Sequence, residues 1–174
     1  MSGYLFKSRK SVAKLLFSIF ICQVVGMIGS IFTSSSISTW YPKLVKPSFT
    51  PPNWVFAPVW TSLYFLMGLS LFLLLVKWKE DSKVKTPLSF FATQLFLNGL
   101  WSYLFFGLRN TLYGLIGIIL LWVMILLTII TAFNISRLAA ILLIPYIAWV
   151  TIATLLNFYI WKLNIGIVVF LQST

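Results

Sequence analysis

The side chains of this chain that are able to do chemistry are aromatic and amide, not acidic or imidazole. There is no histidine, and the only carboxylate side chains, Glu80 and Asp81, are adjacent within the charged run KWKEDSKVKT at 77–86. That excludes a histidine metal site, an axial histidine for haem, a histidine general base and a carboxylate pair working inside a membrane. Cys22 is the single cysteine, so no internal disulfide can form and the redox compartment is left open. What remains is a set of rings and amides at helical spacing. Phe56, Trp60 and Tyr64 recur every four residues and share one helix face. Gln94, Asn98 and Ser102 share another, with Trp101 and Phe105 beside it. Trp149, Ala153 and Leu156 share a third near Pro145-Tyr146, with Asn157 one turn beyond Ala153. If these faces converge, they enclose an apolar, aromatic cavity with a few hydrogen-bonding groups, which suits a flat, hydrophobic, polycyclic ligand. Plainer readings stand beside this one. Buried amides such as Asn98 and Asn157 bond helix to helix in membranes, and the rings equally suit core packing or a lipid-facing surface.

The elements that position such residues have to be membrane helices. Of the 174 residues, 60% are hydrophobic and 9% charged, whereas about a quarter of the residues of a soluble domain are charged. The net charge of +11 would suggest nucleic acid in a soluble protein. Here the basic residues separate apolar runs, where they meet headgroups and fix topology, so no nucleic-acid partner is expected. The uncharged stretches bounded by Lys14 and Lys43, Lys46 and Lys77, Lys85 and Arg109, Arg109 and Arg137, and Arg137 and Lys162 each exceed the ~20 residues that a crossing helix needs. They are continuous rather than alternating, which favours helices over a barrel. The expected fold is an all-α membrane protein, a bundle of five transmembrane helices at about 13–34, 53–76, 87–107, 111–134 and 138–161. A basic segment (1–12) precedes the membrane domain (13–162), and an apolar tail too short to span (163–174) follows. The first run lacks a small-residue cleavage pattern and reads as a retained span.

No span carries a charge, which argues against a pump, an ion-coupled transporter or a cation channel. Nine of the lysines and arginines fall on the side of the N-terminus and the 77–86 loop, and four on the other. The positive-inside rule then puts the N-terminus in the cytoplasm and the first loop outside, with a bacterial cell membrane favoured over a mitochondrial outer membrane. That loop and the helix entry after it, WYPKLVKPSFTPPNWVFAPVW (40–60), hold five prolines and no acid. Proline fixes φ and biases its predecessor towards extended geometry, so no regular helix is expected before Pro52. The stretch reads either as a rigid connector with an interfacial aromatic belt or as a lid over a ligand site. On the first span Cys22, Gly26, Ser30 and Ser34 repeat every four residues, a small-residue stripe suited to internal packing or to a dimer face. Pro145 is expected to kink the fifth helix.

Three motifs, WYxxLxKPxFTPPxWxFxPVWTxLY (40–64), QLxLNxxWSxLFF (94–106) and PYxxWxxxATxLNxxIWxLN (145–164), resemble the translocator protein family, also called tryptophan-rich sensory proteins and peripheral-type benzodiazepine receptors. The resemblance implies a five-helix bundle, often a homodimer, that binds porphyrins such as protoporphyrin IX in a pocket between helices under the first loop. It implies no required cofactor; the porphyrin, or another flat hydrophobic molecule, is the ligand, and membrane lipid the surrounding partner. Matched by motif position, the pocket residues would be Trp40, Tyr41, Pro51, Phe56, Trp60, Tyr64, Asn98, Trp101, Ser102, Trp149, Ala153 and Leu156. Lys46, with Lys43, would offer charge-assisted hydrogen bonds to propionates. Some bacterial members degrade porphyrin in light, with pocket tryptophans implicated, and Trp40 and Trp149 match those positions. An enzyme of that kind is therefore the alternative to a sensor or transporter, and lipid or sterol binding is a third reading. Two departures stand out. Phe49 replaces a tryptophan found in some members, and Phe158 and Lys162 stand where the sterol motif of animal members has Tyr and Arg. Leu156, Tyr159 and Lys162 fit that loose pattern only in another register.

Overall fold

The computed structural model describes residues 9–78, 80 and 82–172, with backbone only from 166 onwards. Most of its described residues are helical, and the long helices are α1 (Arg9–Ile37), α2 (Asn53–Lys77), α3 (Lys85–Ser102), α4 (Thr111–Phe133) and, after the short α5 (Arg137–Ile141), α6 (Ile144–Gln172). Four stretches, Arg9–Ile37, Asn53–Lys77, Thr111–Phe133 and Arg137–Ile165, are long and apolar enough to cross a membrane. α3 is shorter, and a π-helical turn, Tyr103–Gly107, extends it. The chain is an integral membrane helical bundle.

The helices form a closed ring. α1 packs on α2 and α3, α3 on α4, α4 on α6, and α2 meets α5 and α6. Small residues set the closest approaches. A Cβ added at Gly68 would lie 2.6 Å from Ile19 Cα, so α1 and α2 touch backbone to backbone there, as small-residue membrane contacts do. Lys14 adds a hydrogen bond from its ammonium to Leu75 O at 2.9 Å, satisfying a carbonyl in the last turn of α2.

The element ends follow local chemistry. α2 begins directly after Pro52, and α4 is capped by Asn110, whose side chain accepts from the amides of Leu112 and Tyr113, both at 3.0 Å. The fifth span is broken rather than smoothly kinked. α5 ends at Ile141 and α6 starts at Ile144, because Pro145 has no N–H to give to Ile141. The helix then continues past residue 162 to Gln172, through much of the segment expected as a separate tail. The 77–86 loop is more than solvated charge. Lys77 pairs with Glu80 at 2.6 Å, and Val84 is fully buried, anchoring the loop to the core. The π turn also has a structural role: Ser36 of α1 donates to Phe106 O at 2.7 Å, using a carbonyl within that turn.

Candidate functional site

The first loop begins with a 3₁₀ turn, Tyr41–Lys43, and is held from two directions. Internally, the Lys46 ammonium donates to Tyr41 O and Leu44 O, each at 2.9 Å, and to Pro42 O at 3.4 Å. It also sits 4.9 Å from the centre of the Tyr41 ring, a cation–π distance. An ammonium has three donors, and all three are engaged by the loop's own carbonyls. In this geometry Lys46, expected as a propionate partner, folds the loop around its charge. Externally, Asn164 of α6 accepts from Val45 N at 3.1 Å and donates to Val45 O at 2.9 Å. Phe49 packs edge-on against Tyr159 at 5.6 Å.

So fixed, the loop drives Tyr41 into the bundle, where it is buried against Phe105 and Phe106. Burial pushes the Tyr41 phenol up to about 12 from its ordinary 10.0, because the phenolate loses more solvation than the phenol. Beneath it lies a cavity of about 320 Å³ between α1, α2 and α3. Phe56, Trp60 and Tyr64 line it from α2, and Asn98, Trp101 and Ser102 from α3. Tyr41 and Phe106 also line it. Trp60 stacks on Trp101 with ring centres 6.2 Å apart and an interplanar angle of 28°; Trp101 stacks in turn on Phe105 at 5.8 Å and 18°. Among the described residues, no charged one lines the cavity.

The polar groups around this wall are tied helix to helix. Tyr64 donates its hydroxyl to Asn98 Oδ1, and Asn98 Nδ2 donates to the Tyr146 hydroxyl at 2.8 Å. One carboxamide therefore links α2, α3 and α6. Trp101 Nε1 reaches Asn157 Oδ1 at 3.4 Å, while Asn157 Nδ2 donates to Ala153 O at 2.8 Å. Asn98 and Asn157 thus serve interhelical bonding, and Asn98 also lines the cavity. Gln94 is buried with both amide atoms unpartnered among the described residues, as is the indole N–H of Trp149.

Seven of the residues singled out in the sequence converge on the cavity: Tyr41, Phe56, Trp60, Tyr64, Asn98, Trp101 and Ser102. Six lie elsewhere. Trp40 packs edge-on against Phe105 at 5.4 Å, Lys46 is the centre of the loop, and Pro51 is half-buried before α2. Trp149 meets Phe56 edge-on at 6.0 Å, so the α2 and α6 aromatic faces do meet, but ring against ring. Ala153 and Leu156 are buried on α6, outside the cavity lining. What the sequence reading missed is α1. Gly26, Gly29 and Thr33 line the cavity, and a Cβ on Gly26 would come within 2.6 Å of Tyr64 Cδ2. The signal was the small-residue stripe, of which Gly26 and Ser30 line this space and Ser34 does not.

A polytopic helical membrane protein with a charge-free, tryptophan-walled cavity under a proline-rich loop is the class defined so far. The chain belongs to the TspO/MBR family, whose sequence model matches residues 18–162. It is 47% identical over 158 residues to the tryptophan-rich protein TspO of Archaeoglobus fulgidus, covering 88% of this chain and 99% of that protein. It is 38% identical over 143 residues to the human translocator protein, covering 80% and 83%. To the tryptophan-rich sensory protein of Cereibacter sphaeroides it is 41% identical over 125 residues, covering 72% and 77%.

Proposed function

We propose that this protein is a membrane receptor, sensor or transporter for tetrapyrroles such as protoporphyrin IX, bound in the aromatic cavity beneath the first loop. The observation that carries the reading is the stacked Trp60–Trp101 pair in a wall with no charged residue. The two indoles, inclined by 28°, offer flat apolar surface on which a flat macrocycle gains dispersion and stacking energy. The protein crosses the membrane five times, with α3 and its π turn as the third crossing. The N-terminus lies in the cytoplasm, the first loop lies outside, and a bacterial cell membrane is its favoured location. It works as a homodimer and needs no cofactor of its own. The loop acts as a lid, since its internal Lys46 bonds and its Asn164 tether pre-order it and reduce the ordering cost of binding.

A light- and oxygen-dependent porphyrin-degrading activity is the second reading. Its candidate redox partners are Trp40, packed against Phe105, and Trp149, packed against Phe56, which would supply oxidisable rings near a bound pigment. Titration of purified protein with protoporphyrin IX, haem and a sterol, followed by illumination with and without oxygen, tests both. Saturable binding of porphyrin that survives without oxygen and leaves the pigment intact supports the receptor; oxygen-dependent loss of pigment supports the enzyme. Absence of saturable porphyrin binding overturns both.

A further inference from the structure

The walls of the cavity are not equally covered. Its lining residues from α3 and the loop (Asn98, Trp101, Ser102, Tyr41) are buried, whereas Met27 and Ser30 on α1 and Asn53, Ala57 and Thr61 on α2 are exposed. The opening therefore lies between α1 and α2. Ser30 is sixteen residues beyond Lys14, and Thr61 sixteen before Lys77, so each stands ~24 Å along its helix from a basic residue at the same end of the bundle. Within a hydrocarbon core of ~30 Å, that places the opening at the level of lipid chains, on the side of the first loop. Nearer the other end, α1 and α2 are in backbone contact at Ile19 and Gly68.

Gln23 sits between these two regions. Its Nε2 donates to Thr61 O across the gap at 3.2 Å. A carboxamide near mid-bilayer is costly unless it bonds to another helix, and this bond ties the two lips at the inner end of the opening. The lip hydroxyls donate to carbonyls of their own helices, Ser30 to Met27 O at 2.7 Å and Thr61 to Ala57 O at 2.9 Å. Their donors are thus satisfied in lipid, and lone pairs remain for a passing hydrogen-bond donor.

We propose that ligands enter and leave this cavity sideways from the hydrocarbon phase, through a slot between α1 and α2 whose inner end is held by the Gln23–Thr61 hydrogen bond. The inference rests on the cavity being a ligand site. The molecules it admits are bilayer-dissolved and uncharged over the part that passes the lips, since neither lip nor wall carries a charge to replace lost solvation.

The test joins the lips. Ser30→Cys and Ala57→Cys in a Cys22→Ser background are reconstituted in vesicles and linked by a short, reducible bis-thiol reagent. A second pair, Phe49→Cys and Tyr159→Cys, pins the loop to α6 instead. Stopped-flow fluorescence with protoporphyrin IX reads both rates. Linking the slot is expected to slow association and dissociation by about tenfold or more, as a closed gate does, with recovery on reduction; linking the loop is expected to leave both nearly unchanged. Unchanged rates with the slot linked, or slowing confined to the loop pair, overturn the slot. If the cysteine pair does not fold, Thr61→Trp fills the lip and should slow both rates, and wild-type rates in that variant overturn the proposal equally. No saturable binding by the unlinked, folded protein overturns the ligand reading and the slot with it, whereas binding with unaltered rates overturns the slot alone.

Discussion

Asn164 holds Val45 as one peptide strand holds another: the carboxamide accepts from the Val45 amide at 3.1 Å and donates to its carbonyl at 2.9 Å. The same Nδ2 also donates to Ile160 O at 2.7 Å, which orients the side chain along α6. Asn164 is almost completely buried. One residue near the far end of the chain therefore fixes the middle of the first loop.

Asn164→Ala should release the loop. Removing the carboxamide leaves the Val45 amide and carbonyl without protein partners, a loss of about 1–3 kcal/mol if they stay buried and less once water reaches them. Hydrogen–deuterium exchange should accelerate across residues 41–50 while α4 stays protected. Loop exchange equal to wild type would show that Lys46 alone holds the fold of the loop.

Tyr41 makes the closed loop sensitive to alkali. Its phenol is raised to about 12 from 10.0, so the packed state favours the neutral ring. The sign follows from linkage: a group with a raised folded pKa contributes stability that is complete below its unfolded value and lost as pH rises through the folded one. Closure should be steady below pH 10 and weaken between pH 10 and about 12. The comparison is with Tyr41→Phe, which isolates the contribution of Tyr41. That variant should lose the part of the pH dependence due to Tyr41, read as the difference in loop exchange or probe affinity between the two proteins. Identical profiles would remove Tyr41 from the closing mechanism.

Gly68 and Gly26 should behave differently although both sit at close contacts. A methyl at Gly68 meets Ile19 backbone, Cα at 2.6 Å and N at 3.1 Å, which cannot move without separating α1 from α2. A methyl at Gly26 meets only the Tyr64 ring, which can tilt at the expense of its bond to Asn98. Overpacking of this kind costs typically about 1–3 kcal/mol. Gly68→Ala should therefore lower thermal stability more than Gly26→Ala, and Gly26→Ala should alter probe affinity more. The opposite order would mean that α1 moves freely and the tyrosine does not.

Much of this was legible because charge and periodicity are strong signals in lipid. Gaps between basic residues separated the long helices, though they did not mark the end of α6, which runs past Lys162 to Gln172; four-residue spacing put Phe56, Trp60 and Tyr64 on the face that does line the cavity. Tertiary choices were not legible. Gly26 and Gly29 look the same in sequence whether they face a helix, a ring or a cavity. Lys46 carries a charge that suggests an anionic ligand, yet the loop's carbonyls take all its donors. The Asn164–Val45 pair joins residues far apart in the chain, which no local spacing reports. The π turn at Tyr103–Gly107 leaves no trace in composition, although it shapes the aromatic end of the cavity.

The tryptophans give the most direct test of the site. Trp60 touches Tyr64, Trp101 and Tyr146 at ring-centre distances of 5.7, 6.2 and 6.3 Å and lines the cavity. Trp149 lies behind it, against Phe56. Trp78, just after α2, is about half exposed and remote from the cavity lining. Truncating a well-packed aromatic anchor commonly costs about 2 kcal/mol or more of binding, roughly thirtyfold in affinity. Trp60→Ala should therefore weaken protoporphyrin IX binding by about that factor. Trp149→Ala should weaken it less, through loss of support for Phe56, and Trp78→Ala not measurably. Lys46→Ala should weaken binding through the loop, with a salt dependence like that of wild type, because its ammonium is committed to carbonyls rather than to the ligand. Fluorescence quenching titrations of these variants in one detergent, at low and high salt, decide the matter, with circular dichroism confirming the fold. A larger loss for Trp149→Ala than for Trp60→Ala would move the ligand to the α2–α6 interface, and a lower salt sensitivity in Lys46→Ala would return Lys46 to the ligand.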